Sequence, residues 1–141
     1  MSESVTFTVA LPPKELSPNA RAHWRSKNVA KQAYAEEVWI AGRQSHEDSP
    51  NCRQCAIEEA GGMPWWWAAV HLVKHSTHET DTDNVIASCK VLIDCLTTKG
   101  TRPLGIVEDD GPGHMTVTAE WKKVSKRSEC RMEVIVTRVV K

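Results

Sequence analysis

Apolar positions recur along this chain with two different periods, and these periods predict its strands and helices. The predicted strands cover residues 5–11, 65–74, 104–107, 115–124 and 129–139, and the predicted helices cover residues 28–42 and 83–96. The resulting order is βαβαβββ, and a basic turn between the last two strands is typical of a hairpin. We therefore expect an α/β (α+β) fold in which two main helices cover a mixed β-sheet.

Residues 45–62 interrupt this regularity, because they show little periodicity and contain His46-Glu-Asp-Ser-Pro50. They predict a long loop. A chain of 141 residues with 40% hydrophobic content can form one core, and nothing in it indicates a second domain. Without a membrane-spanning apolar stretch or the features of a signal peptide, we expect a cytoplasmic protein, and its five cysteines are expected to be reduced thiols.

The overall charge does not indicate a nucleic-acid partner, because Lys+Arg and Asp+Glu both total 18. Any attraction to DNA must come from local basic patches, and two patches are candidates for phosphate contacts. The first contains Arg21, Arg25, Lys27 and Lys31, and the second contains Lys122, Lys123, Lys126 and Arg127. For each patch alone, an ordinary solvated surface explains the charges equally well.

Aspartates are concentrated in the second half of the chain, at Asp81, Asp83, Asp94 and the pair Asp109-Asp110. On an extended segment, side chains two residues apart point the same way, so Asp81 and Asp83 can direct two carboxylates at one point. Carboxylate oxygens are the ligands that Mg²⁺ prefers, and crowded carboxylates repel one another unless a cation lies between them. The acids therefore predict a divalent metal site.

The predicted helix that follows Asp83 strengthens this interpretation. At about 100° per residue, positions 83, 87, 90 and 94 share one stripe, so Lys90 and Asp94 lie on the face that begins at Asp83. A lysine four residues before an aspartate is the weaker order for a helical ion pair, so a surface ion pair explains the spacing of Lys90 and Asp94 poorly. Taken singly, Asp81 or Asp83 is explained as a helix N-cap and Asp109-Asp110-Gly111 as a turn.

Together these residues resemble the signature of the RusA-type Holliday junction resolvases. The matching positions are Asp81-x-Asp83-Asn84, Lys90-x-x-x-Asp94-x-Leu96, Gly100 and Asp109-Asp110, with Leu11-Pro12-Pro13, Ser17-Pro18-Asn19, Arg21, His23, Arg25 and Ala33-Tyr34 nearer the N-terminus. The resemblance covers most of the chain. It implies a single nuclease domain over residues 1–141, acting as a homodimer that cuts four-way DNA junctions in recombination and repair. Its cofactor would be Mg²⁺, with Mn²⁺ as a substitute.

The resemblance also implies roles for individual residues. Asp81, Asp83 and Asp110 would be metal ligands, the family's essential lysine would be Lys90, and Asp94, Asp109 and Asn84 would support them. One feature departs from the best-known member of the family, in which the lysine follows the second Asp by one helical turn. Here it follows by two turns, and Ala87 stands at the nearer position. Lys90 keeps the same face but is displaced by roughly 4.5 Å along the helix axis.

The chemistry implied by this resemblance is hydrolysis by direct attack of water. A magnesium ion would bind a phosphate oxygen, lower the pKa of a bound water and offset the charge that develops at phosphorus. Lys90 would steady the phosphate or the departing oxygen. The spacing of the chain contains no credible Ser/His/Asp arrangement for nucleophilic catalysis.

Two alternatives remain open at this point. Cys52-x-x-Cys55 with His75-x-x-His78 offers four zinc ligands, which would make the protein a non-catalytic, zinc-stabilised DNA- or protein-binding module. The gap between the pairs is longer than in classical fingers, so we rank ordinary loop residues ahead of zinc. The other alternative is a relative that binds junctions without cutting them, although every required acid is present.

Trp65-Trp66-Trp67 is a further unusual feature of the chain. A base-stacking platform is one interpretation, because aromatic rings can hold unstacked bases. Core packing or a dimer contact is the interpretation we favour, because large aromatic side chains dominate both settings.

Overall fold

The computed structural model describes residues 4–17, 20–21, 23–44, 62–99 and 102–140. Its centre is a four-stranded mixed sheet. The strands are β1 (Ser4–Val9), β2 (Ala68–Ser76), β3 (Met115–Lys123) and β4 (Arg131–Arg138), in the spatial order β1-β4-β2-β3. Strand β2 pairs in parallel with β3 and antiparallel with β4. Strand β4 also pairs antiparallel with β1. The predicted mixed sheet is therefore confirmed.

In the described part of the chain, three α-helices accompany the sheet: α1 (Trp24–Gln44), α2 (Thr82–Ser88) and α3 (Lys90–Leu96). Two short 3-10 turns lie at Lys14–Leu16 and Arg127–Glu129. The continuous helix predicted over 83–96 is interrupted at Cys89, whose backbone has φ −98° and ψ 16°. The Cys89 N–H bonds to the Ile86 carbonyl three residues earlier, which tightens the last turn of α2 before α3 begins.

One face of the sheet forms the core against the helices. Alternate residues of the strands point inward and are buried, namely Val5, Phe7 and Val9 of β1, Val70 and Leu72 of β2, and Met132, Val134 and Val136 of β4. Each helix contributes a buried apolar stripe to the same cluster, with Tyr34 and Val38 from α1, Val85 from α2, and Leu92 and Leu96 from α3. The Tyr34 hydroxyl donates a 2.8 Å hydrogen bond to the Ala10 carbonyl, which ties α1 to the end of β1.

The prediction of a hairpin formed by the last two strands is wrong. Strand β2 lies between β3 and β4, so the chain crosses the end of β2 through the turn at Arg127–Glu129. A hydrogen bond of 3.0 Å from the Val124 N–H to the Ser76 carbonyl fixes this crossing. Apolar alternation identifies a strand but not its neighbour, and two consecutive strands suggested adjacency that the sheet does not have.

The strand expected at 104–107 is reduced to one isolated bridge between Trp65 and Val107. Backbone N–H groups of this segment instead satisfy the free carbonyls at the end of α3: Leu104 bonds to Cys95, and Ile106 and Val107 bond to Leu96. Among the described residues, the order of main elements is therefore βαβααββ.

The tryptophan triplet precedes β2 rather than forming its first residues. Trp65 is buried in the core as expected, Trp67 is half-buried, and Trp66 is exposed. The loop predicted over residues 45–62 falls outside the described residues except for Gly62. In the described ranges, no helix has both the length and the apolar character of a membrane span.

Candidate active site

Lys90 lies at the centre of the predicted site, at the first position of α3. Its Nζ is 3.4 Å from Asp94 Oδ1 and 3.4 Å from Asp110 Oδ2. The nearby carboxylate of Asp94 raises the pKa of Lys90, and Asp110 adds to the effect. Lys90 and Asp94 thus share one helix face, and the lysine connects that face to a loop that is distant in sequence.

The two acids of the Asp109-Asp110 pair have different partners. Lys99 Nζ lies 2.8 Å from Asp109 Oδ2, and the backbone N–H of Asp110 donates to Asp109 Oδ1 at 2.8 Å. These bonds, above all that from Lys99, lower the pKa of Asp109 to about 2. Asp109 therefore anchors the loop, while Asp110 keeps the longer contact with Lys90 and is the freer of the two carboxylates.

Asp81 and Asp83 lie at the start of α2, and both are exposed. Asp81 occupies the N-cap position, but only its backbone carbonyl caps the helix, by accepting bonds of 3.0 Å from the N–H groups of Asn84 and Val85. Neither the Asp81 nor the Asp83 carboxylate has a hydrogen-bonding or ion-pair partner among the described residues. The alternative of an ordinary side-chain N-cap therefore does not account for these acids.

The structure does not bring the three implied metal ligands into one group. No three His, Cys, Asp or Glu residues within the described ranges lie so that they could hold a metal ion. Seven residues separate Asp83 from Lys90, a distance of about 10 Å along the axis of an unbroken helix, whereas Mg²⁺ binds its ligands at about 2.1 Å; here the break at Cys89 lies between the two residues. Because Asp110 is held at Lys90, it belongs to the lysine end of this helical segment.

The donor chemistry of Asp81 and Asp83 nevertheless fits magnesium. This ion is usually held by one or two protein carboxylates, and waters and substrate phosphates complete its coordination. Two exposed aspartates, two residues apart and without a cationic partner in the described chain, supply that minimum. Asp110 would join them only by leaving Lys90.

Two adjoining cavities lie between α1 and α3. The larger has a volume of about 480 Å³ and is lined by Asn28, Lys31, Gln32, Ala35, Val91, Asp94, Cys95, Thr97, Lys99, Asp109 and Asp110. The smaller, of about 170 Å³, is lined by Glu15, Leu16, Ser17, Lys27, Lys31, Ser88, Lys90 and Val91. Lys31 and Val91 line both cavities, so the two form one cleft along α1.

Some residues of this cleft were not identified from the sequence as site residues. Asn28 and Gln32 line it from α1, and Lys99 fixes Asp109. The available signal was the polar stripe of α1, in which Lys27, Asn28 and Lys31 recur at helical spacing. Nothing in the spacing of the chain indicated that this stripe faces Lys90.

The predicted basic patches lie in different surroundings. Arg21 and Arg25 are exposed near the start of α1, and Lys27 is half-buried in the cleft. At the far end of β3, Lys122 Nζ lies 3.7 Å from Glu120 Oε1, and this carboxylate offsets part of the lysine's charge. Lys123, Lys126 and Arg127 are exposed, and the last two belong to the crossing between β3 and β4 rather than to a hairpin tip.

Of the four zinc ligands in the alternative interpretation, the structure describes the two histidines. His75 is buried, and its Nε2 lies 3.3 Å from Glu133 Oε1, so this ring already has a partner. His78 is exposed. Cys52 and Cys55 lie outside the described residues, and the complete set of four ligands is therefore not described.

No protein-family model matches the chain. The comparison with curated proteins gives no match either. The resemblance to the RusA-type resolvases therefore depends on the residues quoted for it, above all the acids and Lys90.

Proposed function

We propose that this protein is an endonuclease of the RusA type that hydrolyses phosphodiester bonds in branched DNA, with the four-way junction as its substrate. The observation that carries the proposal is the contact of Lys90 with both Asp94 and Asp110 beside a cleft. Lysine is a phosphate-binding side chain, and charged groups that shift one another's pKa beside a cleft are candidates for a functional site. The exposed carboxylates of Asp81 and Asp83 lie at the start of α2, the helix that precedes α3.

In this proposal Lys90 contacts the scissile phosphate or the departing oxygen. Its side chain is 70% exposed, and each of its two acidic contacts is 3.4 Å long, so the ammonium group can turn toward a bound strand. Asp94 and Asp110 keep it protonated, because both carboxylates favour its charged form. Lys27 and Lys31 of α1 line the cleft on the opposite side and are suited to the flanking phosphates.

Asp81 and Asp83 would hold Mg²⁺, or Mn²⁺ in its place, with Asp110 as a further ligand after it separates from Lys90. The ion would supply Lewis-acid stabilisation of the phosphate and a more acidic bound water. The protein's own part is to keep these carboxylates exposed at the start of α2 and, among the described residues, without an ion-pair partner.

We further propose that the enzyme works in the cytoplasm as a homodimer. A four-way junction has approximate two-fold symmetry, and an isologous dimer would present two equivalent sites to symmetry-related strands. Sedimentation at micromolar concentration is expected to give twice the mass of the chain, and a monomer under those conditions would remove this part of the proposal.

A second candidate function is junction binding without cleavage. The observation that favours it is the lack of a three-ligand metal group in the described part of the chain. In that case the basic face of α1 would bind DNA, and the exposed carboxylates of Asp81 and Asp83 would hold no metal.

Cleavage of synthetic DNA distinguishes the two functions. A labelled four-way junction and an unbranched duplex of the same sequence are incubated with the protein in Mg²⁺ or in EDTA, and the strands are separated on a denaturing gel. The nuclease proposal predicts symmetric nicks in the junction only, and only with the metal. Stable junction binding without nicks would favour the second function.

A further inference from the structure

The N-terminal part of α1 carries a concentrated positive charge next to an exposed aromatic side chain. Residues 17–35 contain four Lys or Arg residues (Arg21, Arg25, Lys27 and Lys31) and no Asp or Glu, in a chain whose formal net charge is +0. Arg25, Lys27 and Lys31 have no ion-pair partner among the described residues, and Glu15 is the one acid that shares their cavities there without pairing with them, apart from the acids of the Lys90 site. This face is therefore suited to a polyanion.

Trp24 is the first residue of α1, and 66% of its surface is exposed. The His23 ring lies 5.7 Å from it, and the Arg25 guanidinium carbon lies 5.3 Å from the ring centroid. The guanidinium of Arg25 lies over the ring, and most of the Trp24 side chain stays exposed. A large aromatic side chain that is exposed beside several cations has the composition of a nucleobase-stacking site.

The position of Trp24 on the helix connects it to the candidate active site. Trp24, Lys27, Asn28 and Lys31 are spaced by three, four and seven residues, so they share one stripe of α1. The last three residues line the cleft that contains Lys90 and Asp110. From Trp24 to Lys31 the stripe extends about 10 Å, or roughly three 3.4 Å base steps along one DNA strand.

We infer that this stripe guides one DNA strand to the Lys90 site, with Trp24 stacking on a base that is unstacked at the branch point and Lys27 and Lys31 contacting the phosphates that follow. The inference deepens the proposed function and depends on it for the identity of the DNA. It adds a stacking residue outside the acidic cluster and a direction for the bound strand.

Binding measured without metal tests the inference independently of cleavage. Fluorescein-labelled four-way junction, single-stranded oligothymidine and unbranched duplex are titrated in EDTA with the full chain and with Trp24→Ala and Trp24→Phe. We expect Trp24→Ala to weaken binding of the junction and the single strand by about 5- to 100-fold, which corresponds to the loss of one base–aromatic contact. Duplex affinity should stay within twofold, and Trp24→Phe should retain most of the junction affinity.

Trp66→Ala is the matched control, because Trp66 is 68% exposed and lines neither cavity of the cleft. It should bind junctions like the unmodified chain. The double variant Lys27→Ala/Lys31→Ala should reduce the slope of log affinity against log salt by about 1.5 to 2, because two phosphate contacts are lost.

Unchanged junction binding by Trp24→Ala would overturn the inference, as would an equal loss on the duplex or the same loss in Trp66→Ala. Because these are binding measurements, their outcome is separable from that of the nuclease proposal. Junction binding that requires Trp24, in a protein that never cuts, would support the inference and reject the nuclease. Cleavage that is indifferent to Trp24→Ala would do the reverse.

Discussion

Replacing Lys90 with alanine should separate catalysis from stability. The Lys90 side chain is 70% exposed, and its partners Asp94 and Asp110 are 45% and 36% exposed. Ion pairs this exposed contribute about 0 to 1 kcal/mol, so Lys90→Ala should lower the free energy of unfolding by less than about 1 kcal/mol. If Lys90 contacts the phosphate as cleavage proceeds, the same change should slow junction cleavage by at least about 100-fold, or roughly 2.7 kcal/mol of transition-state stabilisation.

Lys99→Ala is the matched control for this experiment. Lys99 is 66% exposed and pairs with Asp109, the neighbour of the acid that Lys90 contacts. It should show a similarly small loss of stability in urea but only a few-fold loss in single-turnover cleavage of a labelled junction. Equal cleavage losses in the two variants, or full cleavage by Lys90→Ala, would refute the role assigned to Lys90.

Two further predictions concern the fold. Burial raises the pKa of Cys89 to about 12, so iodoacetamide at pH 8 should label the partly exposed Cys130 and leave Cys89 unlabelled until the chain unfolds. Between pH 9 and 12 only the unfolded chain releases the Cys89 proton, so the free energy of unfolding should fall as the pH rises over this range. Rapid labelling of native Cys89, detected by peptide mass spectrometry, would contradict both predictions. Gly42→Ala would place a Cβ 2.5 Å from Cδ1 of the buried Leu104. Although alanine favours helix by about 1 kcal/mol, overpacking should produce a net loss of about 1 kcal/mol, and a higher thermal midpoint would show that Leu104 moves aside.

Local periodicity identified most elements of this fold but not how they pair. Alternating apolar residues located β1, β3 and β4 within about two residues, and the helical period located α1. Pairing depends on contacts between distant residues, such as that of Met115 with Ala68, and no local pattern encodes them. The sequence therefore indicated a mixed sheet correctly but placed β4 next to β3.

The candidate site was predictable to a similar extent. The spacing of Lys90 and Asp94 correctly indicated a shared helix face, because that relation is local. The contact of Lys90 with Asp110 depends on how the loop after Val107 returns to α3. The resemblance assigned both residues to one site, but with Asp110 as a metal ligand and not as a partner of Lys90. The break at Cys89 and the pairing of Lys99 with Asp109 had no sequence signal, because neither follows from a local periodic pattern.

The central claim is that the acids at the start of α2 hold the metal needed for cleavage, and Asp83→Asn tests this claim most directly. Cleavage rate and junction affinity are measured for the unmodified chain, for Asp83→Asn, and for Glu79→Gln as an exposed acid outside the proposed ligand set. We predict that Asp83→Asn folds and binds the junction normally but loses Mg²⁺-dependent cleavage, whereas Glu79→Gln cuts normally. Cleavage by Asp83→Asn at the unmodified rate would contradict the account.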